Sequence, residues 1–368
     1  MLCIWEKFST SAEVHSIKVI NYRNCYYLLK YIALFLLLQT NNSNAQVATG
    51  GTSESYLLRN VGVRPIAMGG VYTAISNEPM GIFYNPAGLS SFAPQPKIST
   101  MYSMMEFGRT QAALAYGQSF FEHSGFGIGF NNFTTASVTA RDVHGNPLGQ
   151  INDWQFSLVA GAAYSFEFAS IGLAAKYLSH SYGGDEARAD GFAFDIGTTF
   201  NVMDMFNFGL SIQNISGLMY WNTQSKENSL LPFTIRTGVA SEYSLNDKTV
   251  SVYTKENGGS DTLYNPPSRY ILFGLDAVYT QFENSPTFKF GVEAVPNEVI
   301  AFRAGIALAG DKLGKFQLFP MTDWGLGVSI RPIVAFLPFD ISIDYSISSD
   351  ILSKNGIANH ISIFFEFY

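Results

Sequence analysis

The sequence predicts an all-β fold: a transmembrane antiparallel β-barrel of about 14 strands with an N-terminal hatch segment in its lumen. Three observations predict it. From about Lys97 onward, apolar and polar residues alternate with period two in segments of roughly ten residues. The 368 residues are only 14% charged but 47% hydrophobic, with 31 Phe and 20 Tyr, whereas soluble domains carry about a quarter charged residues. An apolar run near the start has the form of an export signal.

The elements follow in chain order. The run Tyr31–Leu38 is far shorter than the roughly 20 residues of a membrane-spanning helix. Arg23 and Lys30 precede it, and Ser43-Asn44-Ala45 supplies small residues around a cleavage point. Residues 1–45 are therefore expected to be a cleaved signal peptide. Its unusual length, with no methionine between Met1 and Met68, points to a translation start inside this stretch. Both cysteines, Cys3 and Cys25, fall within it, which leaves the mature chain no disulfide, thiol nucleophile or thiolate metal site.

Residues 46–94 are expected to form the hatch. The stretch Arg64–Leu89, RPIAMGGVYTAISNEPMGIFYNPAGL, is rich in small residues, among them Gly69, Gly70, Ala74, Gly81, Ala87 and Gly88, and turns where Asn85 precedes Pro86. Small side chains permit close packing. Its backbone groups are expected to be satisfied by polar residues on the inward faces of the wall, where glycines thin the surface.

Residues 95–368 are expected to form the barrel. In WQFSLVAGAAYSF, Trp154, Phe156, Leu158, Ala160, Ala162, Tyr164 and Phe166 share one face, and Gln155, Ser157, Gly161 and Ser165 the other. Across the strands the second face collects Lys176, Asp195, Arg236, Glu242, Lys289, Glu293, Arg303, Arg331, Asp340, Asp344 and Glu366. A soluble barrel would turn its charges outward and need more of them, whereas in a membrane the apolar face meets lipid and the sheet must close. Aromatics near strand ends, such as Trp154 and Phe166, suit the two interfaces. The last strand, ISIFFEFY, is of the aromatic-terminated kind that the outer-membrane insertion machinery recognises. Ser216–Leu231 and Asn246–Ser268 are read as long extracellular loops, with Phe166–Ala169 and Pro296–Glu298 as periplasmic turns.

Catalytic and cofactor chemistries fail on spacing. Gly69-Gly70 is followed by Val71-Tyr72 with no lysine, so no phosphate loop forms. GFGIGF at Gly125–Phe130 lacks the third glycine of a dinucleotide fingerprint, and its alternating glycines thin a strand face instead. His123, His144, His180 and His360 show no metal-ligand spacing. GGDEARADG at Gly183–Gly191 lacks a calcium-loop pattern and is read as a solvated loop. The net charge of −7 supplies no basic face for nucleic acid. No enzyme and no cofactor are expected.

Met68-Gly69-Gly70, Ala74, Asn77 and Asn85-Pro86-Ala87-Gly88-Leu89 resemble the N-terminal hatch signature of FadL-like outer-membrane proteins of the PorV/PorQ family. GLSIQNIS at Gly209, LPFTIRTGVA at Leu231, FRAGIAL at Phe302 and the segment from Asp344 resemble later strands of that branch. The resemblance implies hatch roles for Gly69, Gly70, Asn77, Asn85, Pro86, Ala87 and Gly88, and a place in the cell outer membrane in contact with its lipid. It further implies passage or binding of small hydrophobic compounds or, alternatively, a type IX secretion component that binds or shuttles secreted cargo proteins. Charges such as Arg303 and Asp344 are also open to a plainer reading, in which they satisfy each other.

Overall fold

The computed structural model describes residues 53–367, save 93, 122, 184–186, 203–205, 224–227, 247–249, 255–259, 265–268, 282, 284, 310–320, 333–336 and 351–355. The expected export signal lies outside the described residues. Fourteen strands form one closed antiparallel wall. The first seven are β1 (Lys97–Met104), β2 (Thr110–Gln118), β3 (Ser124–Thr134), β4 (Asp153–Ser165), β5 (Ala169–Tyr182), β6 (Ala187–Val202) and β7 (Phe206–Trp221). The rest are β8 (Thr234–Ser244), β9 (Tyr270–Thr280), β10 (Thr287–Asn297), β11 (Ile300–Ala309), β12 (Met321–Ile330), β13 (Phe339–Asp350) and β14 (Gly356–Phe367). Each strand pairs with its sequence neighbours, and β14 closes on β1 with Lys97 opposite Glu366 and Met104 opposite Asn359.

The alternation in the sequence is the inside-outside alternation of this wall. On β4, Leu158 is 43% exposed while Val159 beside it is 0% exposed. Leu114, Ile128, Leu173, Phe273, Phe302 and Leu326 likewise face outward. These are lipid-facing positions, since closure satisfies the backbone and leaves an apolar outer band. No helix among the described residues is long and apolar enough to cross a membrane, so the crossing belongs to the strands.

One end of the barrel carries the start of β1 and the end of β14; we call it the terminal end, and the other the loop end. Consecutive connections in such a barrel alternate between ends. The connection from β7 to β8 is therefore at the loop end, whereas that from β8 to β9, which contains Asn246–Ser268, is at the terminal end with the turns at Phe166–Ala169 and Pro296–Glu298. This corrects the assignment of both long breaks to one face. Parity alone requires it, because a single strand separates them. The first break is also shorter than expected, since Ser216–Trp221 belongs to β7 and Asn228–Leu230 folds back to pair with Leu218–Tyr220. The stretch expected as a loop at Gly183–Gly191 is strand from Ala187 on. Its outward positions, Arg188 and Asp190, are charged, which interrupts the apolar face that marks the other strands.

β7 is also irregular. Its register against β6 shifts twice between Phe192 and Ile196, and Asn214 and Ser216 have φ of 58° and 54°. Such bulges sharpen the bend of a strand. Asn214 holds the bend by donating its amide to Asp195 Oδ1 (2.9 Å) and Nδ2 to the Pro232 carbonyl (2.8 Å).

Residues 53–92, ahead of β1, lie inside the barrel. A single turn, Ser55–Leu58, sits at the loop end, followed by the short helix α1 (Val63–Ala67) and the turns Pro79–Phe83 and Pro86–Ser91. Proline at the first helical position of both later turns pre-sets φ where no amide partner is needed. The segment leaves the lumen at the terminal end to become β1.

Candidate functional site

The hatch touches the wall along a belt of glycines. Gly274, Gly291, Gly305 and Gly325 stand directly opposite one another on β9, β10, β11 and β12. A Cβ at Gly291 would lie 2.7 Å from the Met68 carbonyl oxygen, one at Gly305 would overlap the Met68 carbonyl carbon, and one at Gly325 the Ile66 carbonyl. Across the lumen, Gly125, Gly172, Gly197 and Gly209 meet Leu89, Pro86, Asn85 and Thr73 in the same way. Gly127 and Gly129 of GFGIGF lie under Leu89, Ile82 and Phe83. At Gly125, Gly172, Gly209, Gly291, Gly305 and Gly325 backbone approaches backbone at a distance no side chain allows, whereas Gly197, Gly127, Gly129 and Gly274 make room for hatch side chains.

The seven hatch residues singled out from sequence fall at three places. Gly69 has φ of 66°, and a Cβ there would sit 2.6 Å from the Ile306 amide nitrogen; Gly70, with φ of 85°, lies beside Asn60 and the Lys289 ammonium. Asn85, Pro86, Ala87 and Gly88 form one turn, in which Asn85 Oδ1 accepts from the Ala87 amide (3.1 Å). Asn85 Nδ2 donates to the carbonyls of Thr73 (2.8 Å) and Thr198 (3.1 Å), joining the turn to both hatch and wall. Gly88 packs onto the Ser76 carbonyl. Asn77 is apart from both, accepting from Arg64 Nη1 at 2.9 Å.

Polar side chains of the wall complete the hatch backbone. Asp276 on β9 accepts from the amides of Tyr72 and Thr73 (both 3.0 Å) and from the Thr73 hydroxyl (2.6 Å). Gln213 donates to the carbonyls of Phe83 (2.8 Å) and Tyr84 (3.1 Å), and Arg236 to that of Gly70 (3.2 Å). Hydrogen bonds to a buried charge contribute about 1.5–3 kcal/mol each. Asp276→Ala is expected to loosen Tyr72 and Thr73 while the wall persists, read as faster hydrogen exchange at those two amides. Unchanged exchange there would remove Asp276 as the tether.

A buried ion chain runs from hatch to wall. Arg64 of α1 reaches Glu293 on β10 with two nitrogens (2.7 and 2.8 Å) and Glu78 with a third contact (2.8 Å). Glu293 also accepts from Arg303 on β11, which in turn reaches Asp344 on β13 at 3.0 Å. The plainer reading of Arg303 and Asp344 therefore describes them well. Lys176 and Asp195 make a second buried pair at 2.8 Å. Of the other charges expected on inward faces, Arg236 and Lys289 are buried, Arg331 and Glu366 are half-buried, and Glu242 and Asp340 are exposed at the terminal end. Glu366 there bridges Lys97 at 2.8 Å.

Sequence reasoning did not single out Arg64 or Asp276. A signal for the first was present, because Arg64 is the lone basic residue between Val61 and Pro96. Asp276 is one inward charge among several, and its partners are two backbone amides about two hundred residues away.

Above the belt, toward the loop end, the lumen holds a cavity of about 400 Å³. Ser55, Leu57–Asn60 and Ile66 line it from the hatch. The wall contributes apolar Val278 and Ala307 together with Arg236, Lys289 and Asp323. Among the described residues, no cluster of three or more His, Cys, Asp or Glu is arranged to hold a metal ion.

No protein-family model and no curated protein sequence matches the chain. Solved structures do. The toluene transporter TbuX of Ralstonia pickettii aligns over 85% of this chain and 100% of its own with a TM-score of 0.54 at 13% identity. The Pseudomonas putida toluene transporter TodX gives 0.54 at 11%, over 84% and 98%. A FadL homologue from Pseudomonas aeruginosa gives 0.52 at 9%, over 84% and 98%. At these identities the likeness is one of fold, and the chain has a closed 14-stranded antiparallel barrel like that of FadL-type outer-membrane proteins.

Proposed function

We propose that this protein is an outer-membrane barrel of the PorV/PorQ branch of FadL-like proteins, in which small hydrophobic compounds bind or pass. The observation that carries this reading is the hatch seated on the glycine belt, with a cavity between it and the loop end. The cavity sets apolar Leu57, Leu58, Val278 and Ala307 among a larger number of polar and charged side chains, and similarly folded chains are toluene transporters. In this reading the protein is exported through a cleaved signal peptide, the loop end faces outward, and the residues named in the hatch serve its shape instead of contacting cargo.

The secretion reading drew on two long connections acting together. They lie at opposite ends of the barrel, so they do not form one cargo-binding surface.

The test is uptake of the hydrophobic dye phenylnaphthylamine by cells with an outer membrane. Cells displaying the barrel are expected to brighten several-fold faster than cells with empty vector. Equal rates with the folded barrel present would overturn the proposal.

A further inference from the structure

The hatch is held in two unlike ways. From Val61 to Leu89 nearly every residue is buried against the belt, whereas Leu57–Asn60 are half-buried and Ser55 is exposed. Just past the boundary, at the start of the buried stretch, stands Gly62, with φ of 97°. Ser55 and Leu57–Asn60 line the loop-end cavity, so their position sets how open that cavity is.

What pins this stretch at its start is a histidine between two carboxylates. His180 on β5 has Nδ1 2.8 Å from Glu54 Oε1 and Nε2 2.8 Å from Asp153 Oδ1 on β4. An ionised carboxylate only accepts, so both contacts are hydrogen bonds only while both ring nitrogens carry protons. Glu54 and Asp153 are the charged groups facing the ring. The flanking strands present Gln155, which donates to Asp153, the edge-on indole of Trp221 at 5.2 Å, and Ala189.

Two features make the Glu54 end costly to hold. Glu54 has φ of 52°, a left-handed conformation that disfavours a residue with Cβ. Its second carboxylate oxygen is buried without a hydrogen-bond partner, so its lost hydration is not replaced. The contact to His180 offsets these costs. Tyr56, packed among Phe133, Leu178 and Met219, adds an apolar anchor that does not titrate in the same range.

We propose that residues 53–60 are a gate over the loop-end cavity, hinged at Gly62 and latched to the wall by His180 between Glu54 and Asp153. The latch opens as pH rises: loss of one ring proton to water leaves a lone pair against a carboxylate and a strained, half-satisfied Glu54. That the gate guards a route for compounds rests on the channel reading; its movement does not.

The test uses the full chain with Cys3 and Cys25 replaced by serine, Ser55→Cys carrying a nitroxide, and no ligand. Spectra are taken from about pH 5 to about pH 10, a span that contains a histidine shifted by its neighbours. The label is expected to be immobilised at the low end and mainly mobile at the high end, and mobile throughout in His180→Ala. A pH-independent spectrum overturns the latch, as does an unchanged pH response in His180→Ala. If His180→Ala does not assemble, Asp153→Asn replaces it, with release expected at lower pH and an unshifted response counting against the latch. A moving gate without dye uptake would sink the channel reading and leave the latch.

Discussion

Gly305→Val is expected to abolish the seated hatch while its neighbour Ala304→Val is tolerated. A Cβ at Gly305 falls on the Met68 carbonyl carbon, so relief requires moving backbone and not a side-chain tip. The belt offers no slack nearby, because Gly291 and Gly325 on the adjacent strands are in contact with Met68 and with Ile66 and Ala67. Ala304, one residue along, belongs to the alternate set that lines an apolar groove with Val292 and Leu326 on the lipid side, where extra methyls meet acyl chains. Overpacking an interior costs about 1–3 kcal/mol even when side chains can shift, and backbone overlap should exceed that range. Protease cleavage within residues 61–92 of the folded barrel measures the outcome. A Gly305→Val hatch as protected as the parent would show that the belt does not set the seat.

Glu293→Ala is expected to destabilise the barrel by about 3–5 kcal/mol, the cost of leaving buried charge uncompensated. Two guanidinium groups, from Arg64 and Arg303, converge on this one carboxylate, which is 0% exposed. Glu78 and Asp344 still engage one arginine each, but neither replaces the group between them. Glu293→Gln keeps the shape and one acceptor oxygen, so its loss should be smaller. Guanidinium unfolding of the refolded protein in detergent reads the order, parent above Gln above Ala. An Ala variant as stable as the parent would mean the ion chain contributes little.

The wall was legible because a membrane barrel writes its two environments into alternate residues, and Leu158 beside Val159 shows both. The hatch was legible in outline because glycines at inward strand positions have no other purpose than to admit something. Where outward residues were charged, as at Arg188 and Asp190, the strand was missed, and the ends of the two long connections were misassigned although strand parity fixes them. The long-range contacts were not legible. His180 meets Glu54 across 126 positions and Asp153 across 27, and nothing local to any of the three marks the meeting. Asn77 is similar, since its partner Arg64 is reached only through the fold of the hatch.

The glycine belt also constrains the order of assembly. Its residues come from early strands such as β3 and β5 and from late ones such as β11 and β12, while the seam between β14 and β1 joins the last part of the chain to the first. Because the belt draws on strands so far apart in the chain, the hatch finds its whole seat only once β11 and β12 have joined the wall, so the seat is completed after most of the barrel has been made.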